Sequence, residues 1–237
     1  MEMCLDGLRK SAISLPGTIT EVLETVCSMS EEKCVDRNCE NCGVSNLDHY
    51  FEELDDETET SYCKRKKNDT HIKKELIVTD LAEVKGEFYS QMESFARHVY
   101  NVKHQHKELK YLKENLNNDE LIIQEDFAEN HTLRQQNEIM AAHWSPQQVT
   151  VFTAVVYYSQ DQKLQHISYA IVSNELDHNK QSVAIFNKRI IDDVKKRMET
   201  TVNHIHYWTD GCGAQFKNKF TLSNLLYHKQ DHGCSAD

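Results

Sequence analysis

The apolar residues of this chain change period at Asn117 and Asn118, and that change limits what the chain can fold into. Before it, Val84, Phe88, Met92, Phe95, Val99, Val102, Leu109, Leu112 and Leu116 keep the three- and four-residue steps of a helix face. The spacing predicts one long helix, or two in series, within residues 76–118. After it, Glu120 to Gln124, Val149 to Tyr158 and Leu164 to Val172 are rich in β-branched or aromatic residues and read as strands. A helix is predicted from about Ser182 to Glu199, with Val183, Phe186, Ile190, Val194 and Met198 on one face. A strand from His204 to Thr209 and a helix from about Ala214 to His228 follow. Three strands able to form a meander, then a helical crossover to a fourth, predict an α/β layer with a mixed sheet over residues 119–237.

The helical stripe reads first as a face packed on its own domain. A dimerising coil, and with it a homo-oligomer, is the weaker reading, because the spacing slips after Val102 and His106 sits in the seam.

Residues 1–75 differ from the rest, holding six of the eight cysteines, an acidic run from Glu52 to Glu59 and the basic cluster Lys64, Arg65, Lys66 and Lys67. They read as a small loop-rich module with a charged linker. A net charge of −11 excludes a surface that is basic all over, so any nucleic-acid contact must use a local patch. No charged start followed by an apolar run opens the chain, and the longest apolar stretch, Val149 to Tyr158, is about half a membrane span. The chain is expected to be soluble, without membrane contact, and its cysteines are expected to be thiols or metal ligands rather than disulfides.

Two acids close predicted strands: Asp126 follows Leu121 to Glu125, and Asp210 follows Ile205 to Thr209. Neighbouring strands lie about 4.8 Å apart, which suits a shared site for two divalent ions roughly 3.5 to 4 Å apart. Magnesium or manganese takes carboxylate oxygens and keeps several waters, the chemistry of phosphodiester displacement. An Asp after a strand also reads as a turn or capping residue, Asp-Gly above all. Glu125 and Glu129 flank the first position, but a one-residue shift puts Glu125 on the opposite face of the strand.

The block Asp126 to Asn130, with Gln136 to Ile139, His143 and Trp144, resembles the first catalytic block of a group of transposase-derived proteins of animal genomes. Trp208 to Asn218 resembles that group's second acidic motif, and Cys34, Cys39, Cys42 and Gly43 resemble a cysteine motif ahead of its core. The likeness spans about residues 30 to 237. It implies a DDE-type transposase core with an RNase H-like fold, whose strand order begins as this chain's does and whose fourth strand lies parallel to and beside the first. In such a core three acids hold two divalent ions for DNA cleavage and strand joining, and Asp126 and Asp210 take the first two roles. DNA as partner and a nuclear location follow from the same likeness. The third acid belongs on a helix well after the second; Asp231 and Asp237 lie too close to Asp210 for it. With the chain ending at Asp237, before a fifth strand and that helix, a truncated and catalytically incomplete core that does not cleave DNA is expected.

Cys39-x2-Cys42 has zinc-knuckle spacing, with Cys34 upstream and Cys63 downstream as partners for a tetrahedral structural site. Cys27 and His49 are substitutes for a missing ligand, and free thiols in a small core are the alternative. A zinc-stabilised, non-catalytic module that binds protein or nucleic acid is therefore the second functional reading. His228, His232 and Cys234 read as helix-end residues, Cys212 as a turn residue, and Trp144, Trp208, Phe152, Tyr157 and Tyr158 as core aromatics. Lys64 to Lys67, Lys217 and Lys219 are the candidates for phosphate contact. No glycine loop for phosphates and no nucleophile elbow is present.

Overall fold

Helix gives way to sheet where the apolar period changes: α4 (Leu81–Glu114) ends, the Glu120 amide donates to the Asn117 carbonyl at 3.2 Å, and β3 begins. The structure, a computed structural model, describes residues 2–237 apart from 11–12, 29–30, 37–38, 53, 68–70, 135–146 and 199. Gln136 to Ile139, His143 and Trp144 lie outside the described residues. The chain divides into two units, Met1–Glu108 and Leu109–Asp237.

The second unit is a mixed α/β layer. Its strands are β3 (Glu120–Phe127), β4 (His131–Thr132), β5 (Gln148–Gln160), β6 (Lys163–Ser173), β7 (His204–Trp208) and β8 (Ser235–Ala236), with helices α5 (Lys180–Arg197) and α6 (Lys219–His232). The spatial order is β6-β5-β3-β7-β8, and β4 pairs with the start of β5. β5 runs antiparallel to β3, from Leu121 opposite Tyr158 to Phe127 opposite Phe152. β6 returns antiparallel to β5 through Asp161 and Gln162, both at positive φ, the backbone of a two-residue hairpin turn that matches strand twist. β7 lies parallel to β3, from Glu120 opposite His204 to Gln124 opposite Trp208.

Burial explains the order. Leu121, Ile123, Phe152, Ala154, Val156 and Ile205 turn one face of the sheet to Val183, Phe186, Ile190, Ile191 and Val194 of α5. Phe152 is fully buried between Phe127 and Phe186, with ring centroids 4.9 and 5.2 Å away. Asn179 caps α5, its Oδ1 accepting from the amides of Gln181 and Ser182.

Two expectations are corrected here. A fifth strand does form: β8 pairs parallel to β7, His204 opposite Ser235 and Ile205 opposite Ala236. The last helix starts at Lys219 rather than Ala214, because Asn218 caps it through Phe220 and Thr221 while the Cys212 carbonyl gathers the amides of Gln215, Phe216 and Lys217 into a turn. Local side-chain and turn hydrogen bonds outcompete helix there.

The first unit carries α1 (Glu2–Lys10), α2 (Ile19–Val26), α3 (Glu32–Val35), a 3-10 helix (Val44–Tyr50), β1 (Glu59–Lys67), β2 (Ile72–Asp80) and α4 as far as Glu108. Leu8, Val22, Leu23, Leu47, Phe88 and Met92 are fully buried in its core. Thr18 and Glu21 form a reciprocal capping box that starts α2. Along α4, Leu81, Val84, Phe88, Met92 and Ala96 are buried, whereas Val102, which the stripe also includes, is exposed. The loop-rich reading of residues 59–75 is corrected: β1 and β2 form an antiparallel hairpin, Glu59 opposite Asp80 through Lys67 opposite Ile72. Charged side chains populate it, with Lys66 2.9 Å from Glu75 and Lys64 3.0 Å from Glu87 on α4. Among the described residues no helix is long and apolar enough to cross a membrane.

Candidate functional site

Asp126 lies in β3 two residues beyond Gln124, and Asp210 lies two residues beyond Trp208, the partner of Gln124 in β7. The two acids thus stand at the carboxyl ends of neighbouring parallel strands, whose spacing is about 4.8 Å, and both are exposed. Asp210 also has a local task. Its Oδ1 accepts from the Cys212 amide at 2.8 Å, closing a turn that carries Gly211 at φ 76°, in the left-handed region that glycine enters without strain. Asp126 accepts from Thr153 Oγ1 at 3.2 Å through its backbone carbonyl, which leaves its carboxylate out of that bond.

One residue back, Glu125 points to the other side of the sheet, as strand alternation requires. It is only 4% exposed. Asn187 on α5 donates from Nδ2 to Glu125 Oε1 at 3.0 Å, while Glu125 Oε2 and Asn187 Oδ1 are buried without a hydrogen-bond partner. Each orphaned atom costs about 1–3 kcal/mol, a cost that marks either strain or a site for a ligand. Burial pushes the Glu125 carboxyl up to about 8, partly offset by the Asn187 bond. The two residues are among those that line a cleft of about 560 Å³ between the sheet, α5 and α6.

His228 and Tyr207 of the cleft lining are joined by a hydrogen bond. His228 Nδ1 is 2.7 Å from the Cys234 carbonyl and its Nε2 is 3.0 Å from Tyr207 Oη. A carbonyl only accepts, so Nδ1 carries the hydrogen and Nε2 accepts from Tyr207. Burial lowers the His228 and His232 imidazoles and raises the Tyr207 phenol. His228 thus ties the end of α6 to Cys234 and β7.

In the first unit, the sulfurs of Cys34, Cys39 and Cys42 lie within 4.8 Å of one another, with Cys34 buried. α3 supplies the first, and the turn after it supplies the pair. Asn46 holds that turn through Nδ2 to the Asn41 and Thr25 carbonyls at 3.0 and 3.3 Å, and Arg97 of α4 reaches Asp36 at 2.9 Å. Burial, with help from Cys42 and Cys39, raises the Cys34 thiol, whereas hydrogen bonds led by that of the Asn41 backbone lower the Cys39 thiol. Zinc–sulfur bonds of about 2.3 Å need sulfurs roughly 3.8 Å apart, so the group can hold a metal such as zinc. Cys63 is not in the group. It sits in β1 opposite Leu76, where strand pairing rather than metal geometry fixes it.

Sequence reasoning passed over two other groupings. His204 and His206 share one face of β7 and meet Asp237, whose Oδ1 is 3.4 and 2.8 Å away; their two-residue spacing was the available signal. Asn187 had none, since an asparagine on a helix 62 positions from Glu125 looks like any solvated side chain. Of the basic candidates, Lys64 and Lys66 are held in ion pairs, and Lys219 lies 5.3 Å from the Phe220 ring.

No match is found among curated proteins or among solved structures. Residues 105–237, more than half of the chain, match the model of a family described as a domain of unknown function, DUF8701, and the chain belongs to that family.

Proposed function

We propose that residues 119–237 are a DNA-processing core of transposase descent with an RNase H-like sheet, in which Asp126 and Asp210 are two of the carboxylates that hold magnesium or manganese. The observation that carries this reading is the strand order β6-β5-β3-β7-β8, with β5 antiparallel to β3, β7 parallel to it, and the two acids at adjacent carboxyl ends. Bound there, divalent ions would activate the attacking oxygen and stabilise the leaving one. Asp126 offers an exposed carboxylate, and Asp210 offers the oxygen that does not close the Cys212 turn. A nuclear location and DNA as partner belong to the same reading. Titration of the full chain with manganese, followed by electron paramagnetic resonance, tests it. Binding that falls at least tenfold in both Asp126→Asn and Asp210→Asn supports the reading, and binding unchanged in both, or absent from the parent, refutes it.

A second reading concerns the first unit, where the sulfur cluster of Cys34, Cys39 and Cys42 supports a structural zinc site. Such a metal fixes short polar segments that bury too little surface to order themselves.

A further inference from the structure

The β7–β8 edge of the sheet gathers a group that neither reading above uses. His204 and His206 are two residues apart in β7, so strand alternation puts both on the face opposite Ile205, which is buried toward α5. β8 brings the third member. His204 lies opposite Ser235, and the ladder then holds Asp237 by its backbone: its amide donates to the Ile205 carbonyl at 3.1 Å, and its carbonyl accepts from the Tyr207 amide at 2.9 Å. The carboxylate is thereby fixed beside two rings whose centroids are 4.5 Å apart. Asp237 Oδ1 lies 3.4 Å from His204 Nε2 and 2.8 Å from His206 Nδ1. The His204 and His206 side chains are mostly covered, at 27% and 16% exposure, while the carboxylate stands open to solvent.

Hydrogen bonding fixes which nitrogen of His204 is free. Ser235 Oγ donates to the Asn203 carbonyl at 3.0 Å, because a carbonyl only accepts. With its hydrogen committed there, the same oxygen accepts from His204 Nδ1, 2.7 Å away. Nδ1 therefore carries a hydrogen, and the lone pair of the neutral ring is on Nε2. That lone pair meets a carboxylate oxygen, which also accepts, so the contact calls for a cation. Metal-binding histidines are held in this way, the second ring nitrogen donating to a neighbouring oxygen. Bonds of about 2.0–2.1 Å put ligand atoms roughly 2.9 Å apart at right angles and roughly 3.3 Å apart at the tetrahedral angle, a range close to the two distances observed. We propose that His204 Nε2, His206 Nδ1 and Asp237 Oδ1 form a site for a divalent transition ion of the zinc class, with Ser235 orienting His204. Imidazole nitrogens select such an ion over magnesium or calcium, which take oxygens. The ion takes the place of the hydrogen between His206 and Asp237, and its open side is left to water or another exchangeable ligand, as in three-ligand zinc sites. An ion held on an open face by three ligands exchanges with solvent, so titration rather than retention through purification reads it.

Cobalt(II), a spectroscopic substitute for zinc, tests the site by titration of the full chain followed by absorption. Cobalt on cysteine sulfur shows thiolate charge-transfer bands in the near ultraviolet, whereas cobalt on imidazole and carboxylate shows only visible d–d bands. The expected result is a cobalt ion that brings visible bands without thiolate charge transfer and that zinc displaces. Its affinity should fall at least tenfold in His204→Ala and in His206→Ala, and stay within threefold in Cys34→Ser and in Asp126→Asn. Circular dichroism identifies a histidine variant that does not fold, and Asp237→Ala, which removes an exposed side chain, then takes its place with the same tenfold loss expected. Absence of such an ion overturns the proposal, as does an affinity unchanged in either folded histidine variant. A cobalt ion that weakens in Asp126→Asn and not in the histidine variants belongs to the carboxylate pair, which overturns the histidine site and leaves the DNA-processing reading standing.

Discussion

Asn187, on the inward face of α5, donates to the buried carboxyl of Glu125 on β3 across 3.0 Å, joining residues 62 positions apart in the wall of an open cleft. The bond satisfies Glu125 Oε1 and Asn187 Nδ2 and leaves Glu125 Oε2 and Asn187 Oδ1 buried without a hydrogen-bond partner. One face of β3 thus holds a buried acid while the next residue, Asp126, offers an exposed one on the other.

The buried acid makes stability depend on pH. Its pKa, ordinarily 4.5, is raised to about 8 in the folded chain, so the folded state holds a proton that the unfolded state has released. This contribution is present in full below pH 4.5 and is lost as pH rises through 8. Urea unfolding at pH 5 and pH 8 should show a loss in the parent, relative to Glu125→Gln, of up to about 4 kcal/mol. Parallel pH profiles for the two proteins would contradict the burial of the carboxyl.

For the cysteine cluster the expected stoichiometry is one zinc per chain, lost in Cys34→Ser and Cys39→Ser and kept in Cys63→Ser. Metal analysis of the purified proteins reads this directly. Chelation should lower the stability of the first unit, because metal binding that occurs only in the folded state is folding free energy. Retention of zinc in Cys39→Ser would exclude that residue as a ligand.

Two substitutions probe the frame of the second unit. Phe152→Ala removes a fully buried ring between Phe127 and Phe186, and should cost about 3–5 kcal/mol in denaturant unfolding. Asn218→Ala removes the cap of α6 at about 1 kcal/mol, whereas Asn218→Asp should stay near the parent.

The sequence made the second unit legible because its signals are local. β-branched runs gave β5 and β6, the three-to-four spacing from Val183 to Val194 gave α5, and Asp210-Gly211 gave a turn. The spacing of Cys34, Cys39 and Cys42 foretold which sulfurs meet, but Cys63 was drawn in by type alone. The β1–β2 hairpin escaped notice because it lacks an apolar alternation: Ile72, Leu76 and Val78 are exposed, and Lys66 with Glu75 supplies a cross-strand pair that reads as linker charge. The Glu125–Asn187 pair is non-local, set only when α5 packs on the sheet, so no window of sequence contains it.

A crystal of the full chain soaked in manganese, with the ion located by anomalous scattering, tests the proposed function most directly. Manganese bound between the Asp126 and Asp210 carboxylates is the expected result, with the Asp210 turn to Cys212 intact. Carboxylates that point apart with no ion between them would contradict the DNA-processing core and return Asp210 to the single task of closing its turn.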